Sequence, residues 1–296
     1  MKNEITRRLA VLVSIGLVAA TVALGLAVPA TASRAPKVKI TLPASIKKSG
    51  VLTVGSWLLY PPFDYELNGQ PAGMDIKLLN AIGRVLHVKI KYTNIQWAAV
   101  ISSMSTGRFD LVSDEMADTA ARRSSGVDFV DYYKINDQVE VKAGNPDHIN
   151  VNDLCGTTFT TNSGSWEQTL LTNMSSACVS SGKQPITVTY LSDYASENEA
   201  IQTGRVEATI NNSASAAYEA KSSGGQLEVL PEIVPGSTAG TAGFVFEKGN
   251  RALEIPFMQA INYLESTGKW QQILAGNGAR ADMVKPVELN GKPYKG

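Results

Sequence analysis

Val51-Leu-Thr-Val-Gly55, Val88-Lys-Ile-Lys-Tyr92 and Phe109-Asp-Leu-Val-Ser113 are three short runs of strand character, and what lies between them decides the fold. Met74, Leu78, Leu79, Ile82, Val85 and Leu86 recur at three-to-four spacing, the pattern of an amphipathic helix. Asp75 stands near the start of that run and reads as a helix cap. Trp97 to Met104 is a second helical stretch, stopped by Gly107. This β-α-β-α-β order predicts an α/β fold, a mostly parallel sheet with helices on its faces.

A second unit of the same kind follows from about residue 139. Thr157 to Thr161 is a β-branched strand, and Asn162-Ser163-Gly164-Ser165 leads into a helix from about Trp166. Ile186 to Tyr190 and Val206 to Ile210 are further strands, with a helix from Ser196 to Thr203 between them. From Gly240 the pattern changes again. Gly243-Phe-Val-Phe246 precedes a helix carrying Leu253, Phe257, Ile261 and Leu264. Pro256 is expected in or near that helix's first turn, because an interior proline removes a hydrogen bond and clashes with the preceding turn. The tail from Val284, rich in Pro, Lys and Gly, is expected to be mobile.

Lys2, Arg7 and Arg8 precede an uncharged, mostly apolar run from Leu9 to Val28, which ends in Ala30-Thr31-Ala32. That order predicts a signal peptide of residues 1–32 cleaved after Ala32, and hence a periplasmic or secreted protein. An uncleaved anchor is the competing reading, since the run is long enough to span a bilayer. No Cys lies near the junction, so a lipid anchor is not expected. Removing residues 1–32 takes away three bases and one acid and leaves 24 basic and 26 acidic residues. A weakly acidic chain is a poor partner for nucleic acid. Cys155 and Cys178 are the only cysteines, and an oxidising compartment favours a disulfide between them. No metal site is expected, because His87 and His148 lack ligand-like spacing to the cysteines.

Several stretches together resemble the extracellular solute-binding proteins of family 3, which serve polar-amino-acid ABC importers. They are Val54-Gly55 with Tyr60-Pro-Pro-Phe63, Asn68-Gly-Gln with Gly73-Met-Asp75, Gly107-Arg-Phe-Asp-Leu111 and Met116-Ala-Asp-Thr-Ala-Ala-Arg122. Val127-Asp-Phe129, Asp153-Leu-Cys-Gly156, Ser163-Gly-Ser165 and Gly204-Arg-Val-Glu-Ala208 complete the set. The resemblance implies a two-lobed, periplasmic-binding-protein-like (type II) fold with two crossing strands and a ligand cleft. Lobe 1 would comprise residues 38–138 plus 238–296, and lobe 2 residues 139–237. It also implies a small-molecule ligand, first an amino acid, and a membrane permease as partners. A monomer without cofactor is expected.

Arg122 occupies the family's carboxylate-clamp position, where a guanidinium offers fixed donors to a carboxylate. The spacing to Asp128-Phe129 is one residue longer than usual, which leaves Arg123 as a substitute. Ser165, entering a helix, would offer a hydroxyl and backbone N–H groups to the same anion. Tyr60 and Trp97 correspond to the family's side-chain walls, whereas Phe63 reads as core. The family's usual ammonium-binding Asp is replaced by Asn212, whose amide oxygen still accepts hydrogen bonds but carries no charge. Asp114 and Glu115 stand where small residues are common, and Glu115 is a candidate for the missing charge. The substitution leaves open a carboxylate lacking an α-ammonium as ligand. Some relatives are dehydratases of cyclic carboxylates, so a carboxylate-processing enzyme and a ligand sensor remain alternatives. No catalytic residue is expected.

Overall fold

The computed structural model describes residues 40–237, 240–276, 279 and 282–294. The expected signal peptide lies outside the described residues. Two mixed sheets lie within one folded unit, Lys37–Gly296. The larger sheet runs in the order Lys292–Pro293, Met283–Leu289, Val127–Lys134, Thr241–Glu247, Leu111–Ala117, Val51–Ser56, Lys89–Asn94. The smaller runs Thr187–Leu191, Thr158–Asn162, Ala208–Asn212, Asp137–Lys142, Leu227–Ile233.

Each sheet begins with the same parallel block. Val51–Ser56 pairs in parallel with Lys89–Asn94 on one side and Leu111–Ala117 on the other. Thr158–Asn162 does the same with Thr187–Leu191 and Ala208–Asn212. The expectation of a mostly parallel sheet holds only for these blocks. Every remaining pairing is antiparallel, because strands that return from the other sheet or from the C-terminus complete each layer. The chain leaves the larger sheet between Lys134 and Asp137 and returns between Ile233 and Thr241. The two passages are tied together, Ile135 N–H donating to Gly240 O and Val234 N–H to Asp137 O.

Burial explains the helices. Leu78, Leu79 and Ile82 of Met74–Leu86 and Leu253, Phe257 and Ile261 of Arg251–Ser266 belong to one core with Leu52, Val54, Phe63, Phe244 and Phe246. At Gly73 a Cβ would lie 2.0 Å from the Phe63 carbonyl oxygen, so only glycine permits this close approach.

Three expectations are overturned. Pro256 sits in the second turn of its helix, not the first, and the burial of Leu253, Phe257, Met258 and Ile261 offsets the lost backbone bond. The C-terminal segment is not a loose tail: Met283–Leu289 pairs with Val127–Lys134, and Asn290 binds the backbone of Phe129 and the carboxyl of Asp128. Asp75 does not cap its helix, whose N-cap is Gly73; it is buried and accepts from Tyr132 Oη and Glu115 N–H. A buried carboxyl without these donors would be costly, and they fix it in the core instead.

Candidate functional site

The carboxyl ends of the parallel strands meet at one pocket. Trp57 follows Val51–Ser56, Trp97 follows Lys89–Asn94, and Asp114 and Glu115 lie in Leu111–Ala117. From the other sheet, Asn162, Ser165, Trp166 and Glu167 follow Thr158–Asn162, Tyr194 follows Thr187–Leu191, and Asn212 ends Ala208–Asn212. Open α/β sheets present their ligand crevice at these strand ends. The pocket is a narrow slot with about 460 Å³ of atom-free space, its open mouth included. All of the predicted site residues, Tyr60, Trp97, Asp114, Glu115, Arg122, Ser165 and Asn212, line it.

Arg122 reaches from the larger sheet towards the smaller. Its guanidinium donates to Ala117 O at 2.8 Å and to Gly164 O at 3.0 Å, and it lies 5.6 Å over the Trp97 ring. Two of its five donors are thereby used. Burial lowers its pKa, and Glu167, Glu115 and Asp118 act against that. Arg123 turns elsewhere, to an ion pair with Asp118, and does not line the pocket. Ser165 caps the helix Trp166–Ser180 by accepting from Gln168 N–H at 3.1 Å, and its hydroxyl is 3.1 Å from that of Thr161.

Asn212 is bonded within the protein. Its amide oxygen already accepts from Ala214 N–H at 3.0 Å, as the N-cap of Ser213–Ser222, and from Tyr133 Oη at 3.4 Å. Its Nδ2 donates to Glu115 Oε1 at 3.4 Å. Glu115 Oε2 accepts from Tyr60 Oη at 2.9 Å. Both Glu115 oxygens thus accept, one from Asn212 at the end of a strand in the smaller sheet and one from Tyr60, which ends the short strand Leu59–Tyr60 and packs in the core of the larger sheet. Its backbone φ is 42°, a left-handed conformation that costs a non-glycine residue about 1–2 kcal/mol. Burial pushes the Glu115 carboxyl well above its ordinary range; Tyr60 opposes this, and Asp75, Asp137 and Glu167 add to it.

Behind Glu115 lies a chain of buried carboxyls. Ser113 Oγ donates to Asp64 at 2.9 Å and to Asp75 at 3.4 Å, while Trp57 N–H donates to Asp114 at 2.7 Å. Burial raises all three, Asp75 to about 6. Among the described residues, no group of three or more His, Cys, Asp or Glu is arranged to hold a metal ion.

Sequence reasoning missed Trp57, Asp137, Glu167 and Tyr194. Tyr60 and Tyr194 stack at 5.1 Å and Trp57 lies 5.9 Å from Trp97, so rings from both sheets form the wall. Asp137 sits on the outgoing passage between sheets, and its Oδ2 accepts from Trp166 Nε1 at 3.0 Å. Glu167 opens the Trp166 helix. An acid in a helix's first turn is an ordinary sequence feature, and nothing local marked this one as facing a pocket.

The profile of the bacterial extracellular solute-binding proteins, family 3, matches residues 52–277. The chain belongs to this family. Among family 3 relatives, the arginine-binding protein ArgT of Corynebacterium glutamicum is 25% identical over 87% of this chain and 84% of its own. The L-cystine-binding protein TcyA of Bacillus subtilis is 28% identical over 78% of this chain and 82% of its own. A solved structure of the ancestral amino acid-binding protein AncCDT-1, a precursor of cyclohexadienyl dehydratase, superposes with a TM-score of 0.68 at 26% identity, covering 78% of this chain and 97% of that one. The fold is the two-lobed, type II binding-protein fold, and the chain is a substrate-binding protein of the ABC-importer type, in a family that works outside the cytoplasm. Cys155 and Cys178 form a disulfide that joins the start of the second unit to the Trp166 helix. No helix of the described residues is long and apolar enough to cross a membrane.

Proposed function

We propose that the chain captures a small polar solute bearing a cationic group, with amino acids as the first class to test, and hands it to a membrane permease. The observation that carries this reading is the Glu115 carboxyl, buried in the pocket and held by Tyr60 from its own side of the cleft and by Asn212 from the smaller sheet. In this reading Glu115 takes the ammonium and Asn212 orients it. Arg122 and Ser165 flank the other end, and Tyr60 and Trp97 wall the side chain. Asp114 lies against the same wall. The arginine-binding and cystine-binding relatives make amino acids the natural panel. A carboxylate lacking an α-ammonium fits less well, because Asp114, Glu115, Asp137 and Glu167 line the pocket against the single cation Arg122.

The lobes of this reading are residues 38–138 with 238–296, and residues 139–237. A solute touching both favours the closed form, which is then the form that docks. The chain acts as a monomer, exported by cleavage after Ala32, and catalyses no turnover. Thermal unfolding of the purified protein against amino acids, amines and small carboxylates tests it. A ligand at 100 times its dissociation constant adds about 2.7 kcal/mol of stability. Chemical conversion of a bound solute on incubation would replace the binding reading with the enzyme.

A further inference from the structure

Glu167 stands in the first turn of the Trp166 helix and lines the pocket. Burial raises the pKa of its carboxyl; its own backbone N–H, the Ser165 hydroxyl and the Arg122 guanidinium act against that. Arg122 and Ser165 are the groups expected from the sequence to hold a ligand carboxylate. The Glu167 carboxyl lines the same pocket as Arg122 and Ser165. A ligand carboxylate entering there shares the site with the Glu167 carboxyl, and two carboxylates in one site cannot both ionise without cost.

The rest of the pocket asks for positive charge. Asp114 Oδ2 and Asp137 Oδ1 are buried oxygens without a hydrogen-bond partner, on side chains that line the slot. An unpaired buried acceptor costs about 1–3 kcal/mol, which an N–H donor of a ligand recovers. Trp57, Tyr60, Trp97 and Tyr194 supply ring faces, which attract cations most where water is excluded. Among the described residues Arg122 is the only cation that lines the pocket, and it already spends two donors on Ala117 and Gly164.

We propose that the pocket is built for an organic cation that brings no carboxylate of its own, an amine or guanidinium, with Glu167 acting as the internal counterpart of Arg122 and Ser165. The proposal rests on the solute-capture reading and narrows it. An α-carboxylate on the same cation is then a burden and not a handle.

The test compares pairs that differ only by that carboxylate: agmatine with arginine, cadaverine with lysine, putrescine with ornithine, with glutamine as a neutral control. Binding to the purified protein is measured by calorimetry. The expected result is that at least one amine binds about tenfold or more tightly than its amino acid, and that Glu167→Gln narrows or reverses the ratio. An amino acid binding more tightly than its amine in every pair that binds, or glutamine binding alone, overturns this inference and leaves solute capture standing. A ratio unchanged in Glu167→Gln overturns the role of Glu167. If no compound binds, the capture reading falls with it. The wild-type comparison decides the ligand class even if the variant fails to fold.

Discussion

Nδ2 of Asn212 lies 3.4 Å from Oε1 of Glu115, joining the end of a strand in the smaller sheet to a strand of the larger. The sequence lacks an acid at position 212, and a carboxyl from the opposite sheet stands beside the gap. Glu115 keeps a left-handed backbone in doing so, and such local strain is often found where a side chain must point at a ligand.

Glu115→Gln separates affinity from stability. Hydrogen bonds to a charged group are worth about 1.5–3 kcal/mol against about 1 kcal/mol for a neutral pair. Loss of the charge is expected to weaken a cationic ligand about tenfold or more, read by calorimetry. The same change removes a buried acid whose pKa burial raises, so Tm at pH 8 should stay level or rise. A fall in Tm with unchanged affinity would assign Glu115 to the scaffold.

Arg122→Ala and Arg123→Ala should diverge although the residues are adjacent. The first removes the guanidinium that binds Gly164 inside the pocket, and ligand affinity should change at least about tenfold, falling for a solute that brings a carboxylate and rising for a cation without one. The second strips a partner from Asp118, whose side chain is 1% exposed, so Tm should drop while affinity holds. Equal losses of affinity in both variants would contradict the assignment.

Stability should decline as pH rises from about 4 to about 8. An acid whose folded pKa lies above its unfolded value keeps its proton in the folded state longer, so its contribution is present at low pH and is lost as pH climbs through the folded pKa. Asp75 moves from 3.8 to about 6 and Glu140 from 4.5 to about 8, both through burial. Asp64, Asp114, Glu115, Asp137 and Glu197 shift the same way. Asp128 and Asp193 are lowered, by Gly249 and Ser196 N–H groups among others, and act in the opposite sense. A series of Tm values from pH 4.5 to 8.5 checks this, and a Tm that increases steadily across the range would refute it.

Removing the disulfide with Cys155→Ser and Cys178→Ser should cost about 3 kcal/mol, the chain-entropy value for a loop of this size, measured by urea unfolding. Ligand affinity should change little. Cys178 sits about 18 Å along the helix from Trp166, at the end remote from the pocket.

Much of this was legible in the residues. Periodicity gave the helix Met74–Leu86, and β-rich runs gave the parallel strands, because both patterns are local. The antiparallel returns were not legible, since pairing of Thr241–Glu247 with Val127–Lys134 depends on contacts distant in sequence. The same reason hid the C-terminal strand Met283–Leu289, whose partner lies some 150 residues earlier. Motif positions pointed to Arg122, Ser165 and Asn212. They did not reveal that Asn212 spends its oxygen on Ala214 and Tyr133, nor that Asp137 and Glu167 turn inward, because only the approach of two sheets brings those groups together.

Trp57, Trp97 and Trp166 line the pocket, while Trp270, the last of the four tryptophans, is buried in the core of the larger sheet. Tryptophan fluorescence therefore tests the central claim, that solute is captured between the two sheets. With a ligand found by calorimetry, the account predicts a saturable fluorescence change with the same dissociation constant, diminished in Glu115→Gln at the same ligand concentration. Calorimetric binding with unchanged tryptophan fluorescence, undiminished in that variant, would put the site elsewhere and contradict it.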